Sequence, residues 1–185
     1  MRRLILILFL SLGFASSVHG HSLALTVNSD MAEFAYATEV WAAQNAELGV
    51  GVLFNDDDDW LGSLRLVSNN RVSNALRFAV GMQGYLGKLD KPDTSMRALA
   101  IGGSVGFGLA SQIPLSLVLE GWYAPKILSF GKIDDAKELA ARIQADLSQH
   151  AAVYVGYRKL KADLKGDRKN HKLDSGLHLG LRINF

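Results

Sequence analysis

The chain has 185 residues, 20 Lys and Arg against 18 Asp and Glu, and no cysteine. That length fits one domain, the near-balance of charge excludes the clustered basic face of a nucleic-acid binder, and the lack of cysteine excludes a disulfide scaffold. Eighteen glycines, three prolines and an apolar share of 49% fit strand-rich structure better than a helical bundle.

Arg2 and Arg3 open the chain, an apolar run follows at residues 4–12, and small residues lead to Val18-His19-Gly20. This order is that of a secretory signal peptide, with cleavage expected after Gly20. The run is shorter than the about 20 apolar residues of a spanning helix. The expected organisation is therefore a leader at residues 1–20 and one domain at residues 21–185. Losing Arg2 and Arg3 takes the 20 basic residues to 18, equal to the 18 acidic ones. No later stretch has the length of an apolar membrane helix.

From residue 21 onward the dominant signal is alternation with period two, the strand period. Strands are expected at residues 23–28 and 33–41, joined at Ser29-Asp30. Leu48, Val50, Val52 and Phe54 alternate with Glu47, Gly49 and Gly51. Leu76, Phe78, Val80, Met82 and Leu86 alternate with Arg77, Ala79, Gly81, Gln83 and Tyr85. Leu99, Ile101, Val105, Phe107 and Leu109 alternate with Ala100, Gly102, Ser104 and Gly108, and Leu115, Leu117, Leu119 and Tyr123 with Ser116, Val118, Glu120 and Trp122. Residues 134–147 are rich in helix formers. Their flanks are strands, however, and Leu139, Ala141, Ile143, Ala145 and Leu147 fall on one strand face, so a strand is expected. Val153, Val155 and Tyr157 precede a last strand in which Leu177, Leu179, Leu181, Ile183 and Phe185 alternate with His178, Gly180, Arg182 and Asn184.

The connections alternate between longer polar loops (55–59, 88–96, 125–136, 165–172) and shorter turns (42–43, 69–73, 111–114, 148–149). Outer-membrane barrels pair long extracellular loops with short periplasmic turns in this way. The expected fold is all-β, an antiparallel up-and-down transmembrane β-barrel of ten strands, with eight as the alternative. Trp60, Trp122, Tyr123 and Phe185 fall where the aromatic girdles of such a barrel belong.

The ending Gly180-Leu181-Arg182-Ile183-Asn184-Phe185 resembles the assembly signal of bacterial outer-membrane proteins, an amphipathic last strand closed by an aromatic. Leu181, Ile183 and Phe185 carry it, and it implies the barrel assembly machinery as a partner. From His21-Ser22-Leu23 through Gly102-Gly103-Ser104-Val105-Gly106-Phe107-Gly108 to the last strand, the chain resembles the YfaZ family of small outer-membrane proteins. The resemblance implies an outer-membrane barrel, sometimes described as porin-like, and supplies no functional residues.

Asp56-Asp57-Asp58-Asp59 lacks the spaced ligands of a calcium loop and is expected to be a solvated, self-repelling tip. Lys165, Arg168, Lys169, His171 and Lys172 form a basic loop suited to lipopolysaccharide phosphates. The strand register puts Glu47, Arg65, Arg77, Glu120, Glu138, Arg142, Asp146, Arg158, Asp174, His178 and Arg182 in the lumen. Mixed charges in a narrow barrel pair with one another, because unpaired buried charge is costly. They make either a plug held by ion pairs or a narrow polar channel, and the small bore favours the plug.

No metal-ligand spacing links the histidines, no cofactor motif appears, and nothing ties His178 or Ser104 to a catalytic triad. The expected function is therefore a non-catalytic outer-membrane barrel with a structural or narrow porin-like role, in contact with membrane lipid and lipopolysaccharide. A lipid- or peptide-modifying outer-membrane enzyme and a periplasmic ligand-binding barrel are the alternatives. The periplasmic reading would turn the apolar face inward.

Overall fold

The computed structural model describes residues 20–41, 43–73, 75–90, 94–109, 114–165 and 170–185. Residues 1–19, which hold most of the predicted leader, lie outside the described residues, as do Ala42, residues 111–113, and Arg168 and Lys169 of the basic loop.

The strands are β1 (His21–Val27), β2 (Met31–Glu39), β3 (Ala46–Asn55), β4 (Trp60–Arg71), β5 (Leu76–Leu89), β6 (Thr94–Leu109) and β7 (Leu115–Ala124). Then come β8 (Ser129–Gly131), β9 (Ile133–Asp146), β10 (Ala151–Leu164) and β11 (Asn170–Asn184). A single 3₁₀ turn, Lys126–Leu128, separates β7 from β8. Each long strand pairs antiparallel with its chain neighbours, and β1 pairs with β11 from Ser22↔Asn184 to Val27↔Leu179. The result is a closed ring of ten staves. The short β8 sits beside β6 through Met96, Arg97 and Ala98, continuing the β7 position toward the loop end. Closure pairs the first stave with the last from Leu179 to Asn184 of β11, as a membrane interior demands of a sheet.

Residues 134–147, rich in helix formers, lie almost wholly in β9. Pairing on both sides, with β7 and β10, outweighs local helix propensity. Through the middle of the wall, apolar side chains point out and polar ones in. Leu177 is 72% exposed and Leu179 61%, while His178 between them is buried. The apolar face is therefore the outer one, as a lipid-facing barrel requires.

Two of the expected long loops, 88–96 and 125–136, are mostly strand, and the loop 165–172 is strand from Asn170. β5 runs to Leu89 and β6 starts at Thr94, β9 starts at Ile133, and β11 starts at Asn170. The cause is an inversion of the amphipathic pattern. On β10, Tyr157 points out and Arg158 in, but beyond them Lys159 is exposed while Leu160, Ala162 and Leu164 are buried. β9 and β6 do the same: Ala136 and Met96 are buried beside exposed Lys137 and Arg97. Below the inversion the barrel is built for lipid outside. Above it the barrel is built like a water-soluble one, with a dry interior and a charged exterior. A register shift between Leu160 and Lys161 of β10 fits this change of phase and lets β11 bury the consecutive Leu173 and Asp174.

Candidate functional site: the barrel interior

The interior has three tiers. The upper one, at the loop end, is apolar. Met31, Leu53, Leu61, Leu89, Met96 and Ile133 meet there, each no more than 5% exposed. With Ala124 of β7, Leu160 of β10 and Leu173 of β11 in the same cluster, nine of the ten staves contribute. A buried carboxylate fastens this lid. Asp59 accepts hydrogen bonds from the Asp90 backbone N–H at 2.7 Å and from Asn55 Nδ2 at 3.1 Å, and His171 Nε2 lies 2.9 Å away. The solvated tip expected at residues 56–59 is thus correct for exposed Asp56, Asp57 and Asp58, but not for Asp59. Asp59 precedes a strand whose inward parity begins with Leu61, and the chain turns it under the loop. His171, expected in a basic loop suited to lipopolysaccharide phosphates, likewise belongs to the lid.

The middle tier is an ion-pair network. Arg158 donates from Nε to Asp174 Oδ2 and from Nη1 to Glu33 Oε2, both at 2.6 Å, with Glu138 Oε1 3.8 Å from Nη1. Arg65 reaches across the barrel to Glu120 at 2.6 Å and donates to Gln83 at 2.7 Å. Neutral donors complete the carboxylates: Tyr85 Oη and Gln83 Nε2 to Glu138, Trp122 Nε1 to Glu120, and Asn28 Nδ2 to Asp174. Buried ions require this, since an unpaired charge in a dry wall costs several kcal/mol, of order 3–5.

The eleven residues assigned to the lumen all lie on the inward parity of their strands, but the structure divides them. Arg65, Glu120, Glu138, Arg158 and Asp174 meet in the network, with Arg142 at its lower edge, 3.5 Å from Glu120. Glu47 accepts only a long 3.4 Å bond from Asn69, Asp146 accepts from Gln144, and Arg77 donates to Ser116 at 3.1 Å. Among the described residues, His178 Nδ1 and the Nε atoms of Arg142 and Arg182 are buried without a hydrogen-bond partner. A triad histidine needs its Nδ1 held by a carboxylate, and His178 instead meets the edge of the Tyr154 ring, 6.1 Å between centroids.

Glu33, Gln83, Tyr85 and Trp122 were not assigned a site role from sequence. Gln83, Tyr85 and Trp122 stood on the polar face of the alternation, which is the signal that finds them. Trp122 was expected in an aromatic girdle. It is buried in the lumen, with the Arg65 guanidinium 5.0 Å from its ring centre. Neighbouring Tyr123 takes the outward position, 47% exposed.

The lower tier is a cavity of about 550 Å³ at the short-turn end, reaching from Glu39, Glu47 and Arg77 to Glu120 and Trp122. On the outer wall, just above the lipid-facing belt, three lysines stand side by side. Lys161 of β10 is registered directly against Lys137 of β9 and Lys172 of β11. Lys137 contacts Asp135 at 3.2 Å, and that hydrogen bond holds its ammonium pKa above the ordinary value. Burial, and then the neighbouring Asp135, push the Asp163 carboxyl up. Like charges facing one another across strands are destabilising, and Asp135 and Asp163, 3.2 and 3.9 Å from Lys137, partly offset the row.

The family model described as YfaZ precursor matches residues 1–185. No curated protein matches the chain. Among solved structures, a bacterial polysaccharide outer membrane secretin is similar with a TM-score of 0.48 and 12% identity, over 90% of this chain and 69% of that one. The outer membrane channel DcaP of Acinetobacter baumannii gives 0.42 and 11%, over 88% of this chain and 54% of that one. A chain from work on in-meso crystallization of membrane proteins gives 0.42 and 8%, over 90% and 83%.

Proposed function

For a chain that belongs to the YfaZ precursor family over residues 1–185, we propose a structural role in the outer membrane, as a barrel that neither conducts nor catalyses. The protein is an outer-membrane β-barrel, and the closed interior carries the rest of the reading. The single supporting observation is the two-tier block: an apolar lid from nine staves above a paired ionic layer. A channel needs a continuous wet path, and full burial of Leu89, Met96 and Ile133 in the lid supports a closed barrel at that level.

The outer surface supports the lipid partners. The row Lys137, Lys161 and Lys172 suits the phosphates of lipopolysaccharide. At the other end of β11, Leu181, Ile183 and Phe185 face outward, 41%, 45% and 50% exposed, as an assembly signal read by another sheet edge would.

Planar-bilayer recording of protein purified from outer membranes tests the reading. We expect no discrete conductance steps. Steps of uniform size in the unmodified protein would overturn it in favour of a narrow pore.

A further inference from the structure

The lower cavity is a cup. It opens at the end that carries the short turns and ends blindly on Trp122, Glu120 and Arg65. Five arginines line it (Arg65, Arg71, Arg77, Arg142 and Arg182) against the three glutamates Glu39, Glu47 and Glu120, an excess of two positive charges. Arg65 is committed to Glu120. Arg77 and Arg182 form no ion pair among the described residues, and Arg71 is registered directly opposite Arg77. Two like charges facing each other cost stability. The Nε atoms of Arg142 and Arg182 add two buried donors with no acceptor among the described residues. Leaving such donors unmatched is also costly.

We propose that this cup is a binding site for a small polyanion bearing phosphate or carboxylate groups, entering from the periplasmic side and held by Arg77, Arg142 and Arg182. The guanidinium fork matches the paired oxygens of either group. A volume of about 550 Å³ lies within the usual range for small-molecule sites, roughly 300–1,000 Å³. The blind floor makes the site one that retains its ligand and does not pass it on. Only this retention rests on the closed-barrel reading; the arginine chemistry stands apart from it.

Isothermal titration calorimetry of the detergent-solubilised protein at low salt, with orthophosphate and separately with citrate, tests the site. We expect saturable binding of at least one anion, weakened about tenfold or more (about 1.4 kcal/mol per decade) by Arg182→Gln and by Arg77→Gln. Lys161→Gln on the outer wall leaves it unchanged, and Arg182→Lys retains part of it. Heat-modifiable gel migration verifies that each variant is folded. Flat titrations with both anions, or affinities indifferent to both arginine substitutions, overturn the proposal. A conducting barrel that still binds anions through Arg182 would sink the closed-barrel reading and spare this one; a silent barrel that titrates flat does the reverse.

Discussion

Arg158 and Asp174 meet at 2.6 Å in the middle of the barrel, and the same guanidinium reaches Glu33 at the same distance from another strand. One cation thus ties β10 to β11 and to β2, across the point where the ring closes on β1. Removing it leaves Glu33, Glu138 and Asp174 facing one another in a dry layer. Arg158→Ala is expected to destabilise the barrel by about 3–5 kcal/mol. Urea titration followed by heat-modifiable migration checks this, and an unchanged midpoint would show that the carboxylates find other partners.

The upper lid behaves as a packed core. Leu89 and Met96 are fully buried, at the end of β5 and near the start of β6. Leu89→Ala and Met96→Ala should each cost about 2–5 kcal/mol, the usual range for emptying a buried apolar site. The ionic layer below stays intact, so neither variant should conduct in bilayers.

Gly180 faces Tyr154 on the adjacent strand, and the Tyr154 ring occupies the space a side chain at position 180 would take. Tyr154 also bonds Thr26 on β1 at 2.6 Å. Gly180→Val should impair folding into the membrane, and Tyr154→Ala in the same chain should restore much of it. Failure of that rescue would locate the defect in the backbone and not in the ring.

His171, near the start of β11, and Asp59 connect the last strand to the loop between β3 and β4. His171→Ala removes one partner of a buried carboxylate, at a cost of about 1–3 kcal/mol. Amide hydrogen exchange at Asp90, whose N–H bonds the same Asp59, should accelerate.

The lysine row predicts a lipid effect. Lipopolysaccharide should raise the melting temperature of the wild-type protein in micelles. Lys137→Gln, Lys161→Gln and Lys172→Gln combined should abolish most of that increment, while zwitterionic lipid has equal effect on both. The effect of exposed charge is screened by salt, so the increment should shrink as ionic strength rises.

How much of this could be read from residues follows from where the pattern is regular. Through the membrane the period of two is regular, and Leu177 to Phe185 alone gives the strand; which face meets lipid follows from the exposure of Leu177 and Leu179 against buried His178, because alternation reads the same for either orientation. The inward set followed from the same parity. The lid did not, because Arg158-Lys159-Leu160 breaks the alternation where lipid gives way to water, and a phase inversion in sequence looks like the start of a loop. Apolar residues on the polar parity, gathered at the loop-side end of strand after strand, are the signal that would have found it. Trp122 and Tyr123 show a second limit. Adjacent aromatics on one strand point to opposite faces, and only the register tells which one meets lipid.

The wall is uneven in height: β1 has seven residues, whereas β5 has fourteen and β6 sixteen. The stave that completes the ring is thus its shortest, and its six registered pairs with β11, from Ser22 to Val27, are fewer than those between the other neighbouring staves. Force or heat will part the ring along that line first, like a jar opening at its hinge. The same line is the natural last stitch when the sheet curls shut during insertion.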